Sequence, residues 1–245
     1  MAHQPASGGI ISEAQSTTSF DGQIISLNKP RGITSFDAVA RVRRITGIKK
    51  VGHAGTLDPF AEGLLLVGIG RSATKRLPEY LALEKEYVAT LVLGVVTDTL
   101  DLTGKIVETT VFTMPDQDRI ISVMQDFTGQ IEQTPPMYSA VKVNGERLYV
   151  AARKGLDIAR QPRIVDIKLL ELTKMTSDGF QIKIICSKGT YIRSLADDIG
   201  RALGMGAHLG SLIRTRIGKF CLEEATTINE FASSVAKTGK NTRWN

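Results

Sequence analysis

The sequence predicts an α+β domain with a central mixed, largely antiparallel sheet flanked by helices and loops. Strand candidates outnumber helix candidates, and they occur in runs instead of alternating regularly with helices as βαβ units do. The chain has 245 residues, 42% of them hydrophobic and 23% charged. That is enough to bury a sizeable core, and no internal repeat or low-complexity linker divides it.

The elements follow in order. Residues 1–22 are rich in Ala, Ser, Gly, Gln and Thr and lack an apolar signal segment, so they read as a mobile tail. Ile24–Asn28 is a short strand, ended by the turn signal Lys29-Pro30-Arg31-Gly32. Thr34-Ser35-Phe36-Asp37 matches a capping box, with Phe36, Val39, Ala40 and Ile45 as the apolar helix face and Gly47 as the stop. A loop carrying His53 to Asp58 follows. The apolar run between Gly63 and Gly70 reads as a buried strand.

Lys85–Gly94 alternates, with Tyr87, Ala89, Leu91 and Leu93 on one face. Thr113–Phe127 has helical spacing at Ile120, Met124 and Phe127. Met137–Val143 and Ile164–Thr173 are strand candidates around a short helix, Leu148–Lys154, closed by Gly155. Phe180, Ile182, Ile184 and Cys186 alternate as a strand, and Ile192, Leu195, Ile199 and Leu203 line a helix ending at Gly204.

Composition narrows the chemistry. Formal net charge is +6, which suits a polyanionic partner. Cys186 and Cys221 lack metal-ligand spacing, and with only three histidines no metal site is expected. A reducing cytoplasm is the expected location, and no apolar run approaches the ~18–20 residues of a membrane span. There is no GxxxxGK[ST] loop, GxGxxG fingerprint, GxSxG elbow or HExxH helix, so an enzyme here is expected to need no cofactor.

Basic residues concentrate twice. Lys29, Arg31, Arg41, Arg43, Arg44, Lys49 and Lys50 face the single acid Asp37 in one stretch. Lys142, Arg147, Arg153, Lys154, Arg160, Arg163 and Lys168 form the other. Each cluster taken alone reads as a solvated face; two of them beside turn-rich loops point to RNA. Asp58 precedes a proline, which biases it away from helical geometry, and an Asx turn is its plain reading. Asp197-Asp198 reads as a solvated helix face, Asp98 and Asp101 as turn residues that position neighbours, and Cys186 as core.

Four blocks taken together are more specific. Gly52-His53-Ala54-Gly55-Thr56-Leu57-Asp58-Pro59-Phe60-Ala61-Glu62-Gly63-Leu64-Leu65 closely resembles the nucleophile motif of TruB-type tRNA pseudouridine synthases. Leu27 to Ser35, through Lys29-Pro30-Arg31-Gly32, resembles that family's N-terminal signature. Lys85-Glu86-Tyr87 with the turn from Thr97 to Gly104 resembles its tyrosine-bearing strand, and Gly189-Thr190-Tyr191-Ile192-Arg193-Ser194-Leu195 its third block. The blocks span roughly residues 24 to 220 in family order.

The resemblance implies a pseudouridine synthase fold over residues 23–222. It also implies an RNA-gripping insertion at about 135–163, and a short segment, 223–245, with no complete PUA domain. The implied activity is isomerisation of uridine to pseudouridine at position 55 in the T loop of tRNAs. It would proceed by base flipping, with Asp58 as nucleophile and without cofactor, metal, guide RNA or obligatory protein partner, in a chain that acts as a monomer. Tyr87 is implied to stack on the flipped uracil and Tyr191 to pack near it. Arg193 is implied to pair with Asp58, lowering its pKa. His53 would fill the space vacated in the RNA loop, Lys29 would support the loop or contact phosphate, and Arg31, Lys142, Arg147 and Arg153 would contact RNA. The rivals are a guide-RNA-dependent synthase, a non-catalytic RNA-folding module, and a retaining glycosidase-like hydrolase, which needs a second carboxylate about 5–5.5 Å from the first.

Overall fold

A computed structural model describes residues 20–240 except 140, 144 and 157. The first half of the chain forms β1 (Ile24–Lys29), α1 (Ser35–Thr46), β2 (Val51–Ala54), β3 (Glu62–Ile69), α2 (Gly70–Ala82), β4 (Lys85–Leu93), β5 (Val95–Thr97) and β6 (Ile106–Thr109). There follow α3 (Gln117–Gln125), β7 (Gly129–Gln133), β8 (Lys142–Val143), β9 (Glu146–Arg147), α4 (Leu148–Arg153) and β10 (Arg163–Met175). The chain continues through β11 (Gly179–Cys186), α5 (Ile192–Ala202), β12 (Ala207–Ile217), β13 (Phe220–Cys221), β14 (Thr226–Thr227) and α6 (Ile228–Lys240).

One sheet organises these elements, in the order β14-β1-β3-β12-β4-β11-β10-β7, with β2 on β3 and β13 on β12. Only β14 with β1 and β12 with β3 are parallel. The sheet is therefore mixed and largely antiparallel, and it carries helices on both faces.

The continuous apolar run of β3 has a direct cause. Leu65, Val67 and Ile69 pack with α1 and α6, while Leu64 and Leu66 pack with Leu77 of α2 on the other face. A strand buried on both sides has no polar face to alternate with. In β4 the alternation is real: Tyr87, Ala89, Leu91 and Leu93 join the largest core, closed by Ile120 and Met124 of α3 and Ile192, Leu195 and Ile199 of α5. Full burial of each such side chain contributes about 1.5–3 kcal/mol.

Thr34 caps α1 in a reciprocal capping box with Asp37, and Gly47 ends it at φ 70, a left-handed position that glycine adopts without a Cβ penalty. The apolar face differs from the expected one. Phe36 is exposed beneath the Arg43 guanidinium, and the buried positions are Ser35, Ala38, Val39 and Val42. The helix expected over Thr113–Phe127 begins only after Asp116, whose side chain caps it by accepting from the Arg119 N–H. The strand expected at Met137–Val143 shrinks to Lys142–Val143, paired with Glu146–Arg147 in a separate hairpin.

Helix α2, strand β12 and helix α6 lie outside the sequence expectations. Pro78 sits within α2, where it masks the helical pattern. Strand β12 carries register shifts at Leu209/Ser211 and Arg214/Arg216, which break a simple alternation. Residues 20–22, part of the expected tail, are docked: the Phe20 ring meets Phe231 of α6 edge-on at 5.5 Å, and the Gly22 N–H donates to the Ile69 carbonyl.

Candidate active site

Asp58 sits on the loop joining β2 to β3, and several bonds fix that loop. The Ser35 hydroxyl accepts from the Leu57 N–H at 2.8 Å and donates to the Leu57 carbonyl at 3.1 Å. Gly32 N–H donates to the Pro59 carbonyl at 2.8 Å. Leu57 and Phe60 are buried on either side, so the main chain is pinned while the Asp58 side chain stays 35% exposed.

The third block reaches the same place. Arg193, at the start of α5 and buried, sets its Nε 3.0 Å from Asp58 Oδ2. Its remaining nitrogens are also engaged. Nη1 donates to the Thr99 carbonyl at 2.8 Å and lies 3.4 Å from Asp101 Oδ2. Nη2 donates to the Tyr138 carbonyl at 2.8 Å. Asp101 is buried in the turn after β5, where Thr99, Thr103 and the Thr103 N–H donate to Oδ1. Leu100 beside it holds φ at 60, a conformation a non-glycine residue keeps only when its surroundings impose it.

The direction of the Asp58 pKa reverses the expectation. Burial pushes the carboxyl up; Arg193 and Lys29 pull it back, and the Asp101 charge pushes it up again. The net shift is upward, so the ion pair offsets the loss of water without overcoming it. The remaining exposure screens part of that effect.

Tyr87 of β4 is buried, and its phenol is pushed up by burial; the Asp58 charge reaches it. Tyr191 precedes α5, with its N–H and carbonyl both bonded to the Gln133 amide at 2.7 and 3.0 Å. Burial pushes its hydroxyl up, and the Asp58 charge reaches it as well. Arg193 thus pairs with Asp58, and Tyr87 and Tyr191, from two further points of the chain, lie within the field of that carboxylate.

The other expected residues divide. Lys29 is fully buried and donates to the Pro30 and Ile33 carbonyls at 3.0 and 2.8 Å. It supports the loop after β1 and is out of reach of a phosphate; burial lowers its pKa to about 8, with Asp58 acting against that. His53 lies in β2 opposite Val67 instead of in a loop, and burial and Arg214 push its imidazole down. Arg31 is exposed. Lys142 and Arg147 belong to the β8–β9 hairpin and Arg153 to α4, but their side chains lie outside the described residues.

Asp197 and Asp198 do not form a fully solvated face. They line a cavity of about 500 Å³ with Leu100, Pro136, Arg160 and Arg201. Asp197 pairs with Arg201 at 3.0 Å, and burial followed by Asp197 pushes Asp198 up to about 6.

Two residues that sequence reasoning underweighted are central. Asp101 was legible only as a turn residue. Arg214 of β12 was missed altogether; it is 1% exposed and donates to the Leu64 and Gly55 carbonyls at 2.7 and 3.1 Å. A Cβ at Gly63, where φ is 102, would overlap the Arg214 main chain, so glycine there lets β12 close on the loop. The only signal for Arg214 is an arginine within the interrupted apolar pattern of Leu212–Ile217.

Comparison with known proteins decides the family. The description "TruB family pseudouridylate synthase (N terminal domain)" matches residues 43–192, and "tRNA pseudouridylate synthase B C-terminal domain" matches 193–243. The chain belongs to the TruB family. It is 50% identical over 200 residues to tRNA pseudouridine synthase B of Dehalococcoides mccartyi, covering 81% of this chain and 66% of that protein. The chain thus spans just under two thirds of that relative. For the enzyme of the same name from Opitutus terrae the identity is 44% over 207 residues, covering 84% of this chain and 85% of that protein. Among solved structures, the Cbf5-Nop10-Gar1 complex contains a chain that superposes with TM-score 0.71 at 30% identity, over 91% of this chain and 57% of that one. The fold is that of the pseudouridine synthases. Among the described residues, no helix of this TruB-family chain is long and apolar enough to cross a membrane.

Proposed function

We propose that this chain isomerises uridine to pseudouridine in tRNA, at position 55 of the T loop, with Asp58 as nucleophile and no guide RNA. The observation that carries the reading is the Asp58–Arg193 contact at 3.0 Å, within electrostatic reach of two tyrosines on a loop whose main chain is fixed. The names of the TruB-family relatives support tRNA as substrate.

The reaction breaks the N1–C1′ bond and forms a C5–C1′ bond within one nucleotide. A carboxylate nucleophile divides this into two steps. Attack at C1′, addition to the base, and elimination through a glycal all require Asp58 ionised, and Arg193 stabilises that form. The uridine leaves its stack at a cost of a few kcal/mol; stacking on Tyr87, with Tyr191 beside it, returns about 1–3 kcal/mol. Arg193 positions Asp58, Lys29 supports the loop preceding α1, and His53 occupies space left by the flipped base. Arg31, Lys142, Arg147 and Arg153 contact the RNA backbone, and residues 135–163 act as the gripping insertion. The protein works as a monomer in the cytoplasm.

The test uses unmodified T-arm RNA carrying C5-tritiated uridine. Wild type releases tritium without additions, and Asp58→Asn does not. Equal release by Asp58→Asn removes the nucleophile assignment. Release only with a guide RNA moves the chain to the guide-dependent branch.

A further inference from the structure

A guanidinium keeps its charge in proteins, and burying one is costly unless it is paired. Arg214 is 1% exposed, yet among the described residues its hydrogen bonds run to two carbonyls, with no carboxylate. Its direct register partner across the β12–β4 pairing is Tyr87, whose phenol lies within the field of Arg214. The carbonyls belong to Gly55, on the loop leading to Asp58, and to Leu64 of β3. A Cβ at Gly55 would sit 3.4 Å from Arg214 Nη1, so the guanidinium packs against the loop. Arg214 thus links the Asp58 loop to the Tyr87 strand by hydrogen bonds to the loop and register with the tyrosine.

We infer that Arg214 is a positioning residue for Tyr87: its guanidinium donates to the phenol oxygen, turns the phenolic proton into the cleft, and tunes the acidity of that proton. The geometry follows from donor bookkeeping. Arginine has only N–H donors and no acceptor, so a tyrosine bonded to it must accept there and direct its own O–H elsewhere. The titratable groups facing Tyr87 are Arg214 from β12, the buried Cys186 thiol from β11 and Asp58 from its loop. Burial raises the phenol most, Arg214 lowers it, and Cys186 and Asp58 raise it. Lys29 and Lys85 also lie within the field of Arg214, and burial with that field lowers both to about 8. A buried cation beside Tyr87 suits a reaction in which breaking N1–C1′ leaves its electron pair on the uracil ring.

This inference rests on the role proposed for Tyr87, but its test separates the two. Difluorotyrosine placed at position 87 titrates in the neutral range, and its fluorine NMR shift reports ionisation without any turnover. Arg214→Met is expected to move that titration alkaline by about one unit or more, and Arg214→Lys by less. In parallel, Arg214→Met lowers the single-turnover rate on T-arm RNA about 100-fold with RNA affinity unchanged, and Arg214→Lys recovers part of the loss. A structural prop alone leaves the fluorine titration in place, and that result overturns the inference. Equal loss in the Lys and Met variants also overturns it. If T-arm RNA is not turned over at all, the fluorine titration still decides whether Arg214 controls the phenol.

Discussion

At the scale of single residues, the site is a row of charges with alternating sign: the half-buried Asp58, then the buried Arg193 and Asp101. Asp101 both anchors Arg193 at 3.4 Å and raises the Asp58 pKa by repulsion. Asp101→Asn therefore has two separable effects. Removing the negative charge lowers the Asp58 pKa, so the acid limb of the pH–rate profile moves to lower pH. Losing the anchor lets Arg193 shift, and the rate on the plateau falls about 100-fold. Single-turnover rates across pH check both; an acid limb that moves upward contradicts the assigned repulsion. Asp58, Tyr87, Tyr191 and Arg193 were legible because each sits in a motif block. Arg214 was not, because a lone arginine in a bulged strand carries no periodicity. The direction of the Asp58 pKa was not legible either, since burial, the largest cause, is absent from a string of letters.

Helix α5 shows how one element serves two purposes. Its first residues hold Arg193 and the buried Ser194 and Leu195, and its later turns carry Asp197 and Asp198 into the cavity beside the 135–163 segment. Asp198 is pushed up to about 6 from an ordinary 3.8. A carboxyl whose folded pKa is raised destabilises the fold above that pKa, and the cost fades as pH falls from about 6 towards 4. Asp198→Asn should thus stabilise the protein on the order of 1 kcal/mol at neutral pH, with the gain vanishing below about pH 4. Urea melts at both pH values measure this, and an equal gain at both contradicts it. Strand and helix existence was mostly readable where one face is apolar, as in β4 and α5. It failed at α2, β12 and α6, where a proline, bulges, and the polar residues Ser233, Ser234 and Lys237 blur the period.

For the whole molecule, the sheet joins parts of the chain that are distant in sequence. Strand β12 stands between β3, which follows the Asp58 loop, and β4, which carries Tyr87; the most poorly legible strand is the one that closes the site. The chain after Leu222 adds β14 to β1 and packs Ile228 and Phe231 against α1 and β1. The exposed residues Arg31, Arg41, Arg44, Lys49 and Lys50 lie around α1, and the basic residues of 142–163 lie on the segment between β7 and β10. If that segment grips RNA, its backbone amides exchange more slowly when tRNA is added. Unchanged hydrogen exchange between residues 135 and 163 contradicts the gripping role.

That segment is wired to the chemistry by a main-chain atom. The carbonyl of Tyr138 accepts from Arg193 Nη2, while Arg193 Nε faces Asp58. Any movement of the chain at Tyr138 leaves a buried guanidinium one acceptor short, and the imbalance is felt at the carboxylate on its other edge. No side-chain substitution at 138 can delete this bond, because the acceptor is backbone. If the segment seats RNA as proposed, an RNA that fails to seat it would disturb Arg193 and, through it, the aspartate. Discrimination between cognate and wrong RNA would then be registered in turnover as well as in affinity.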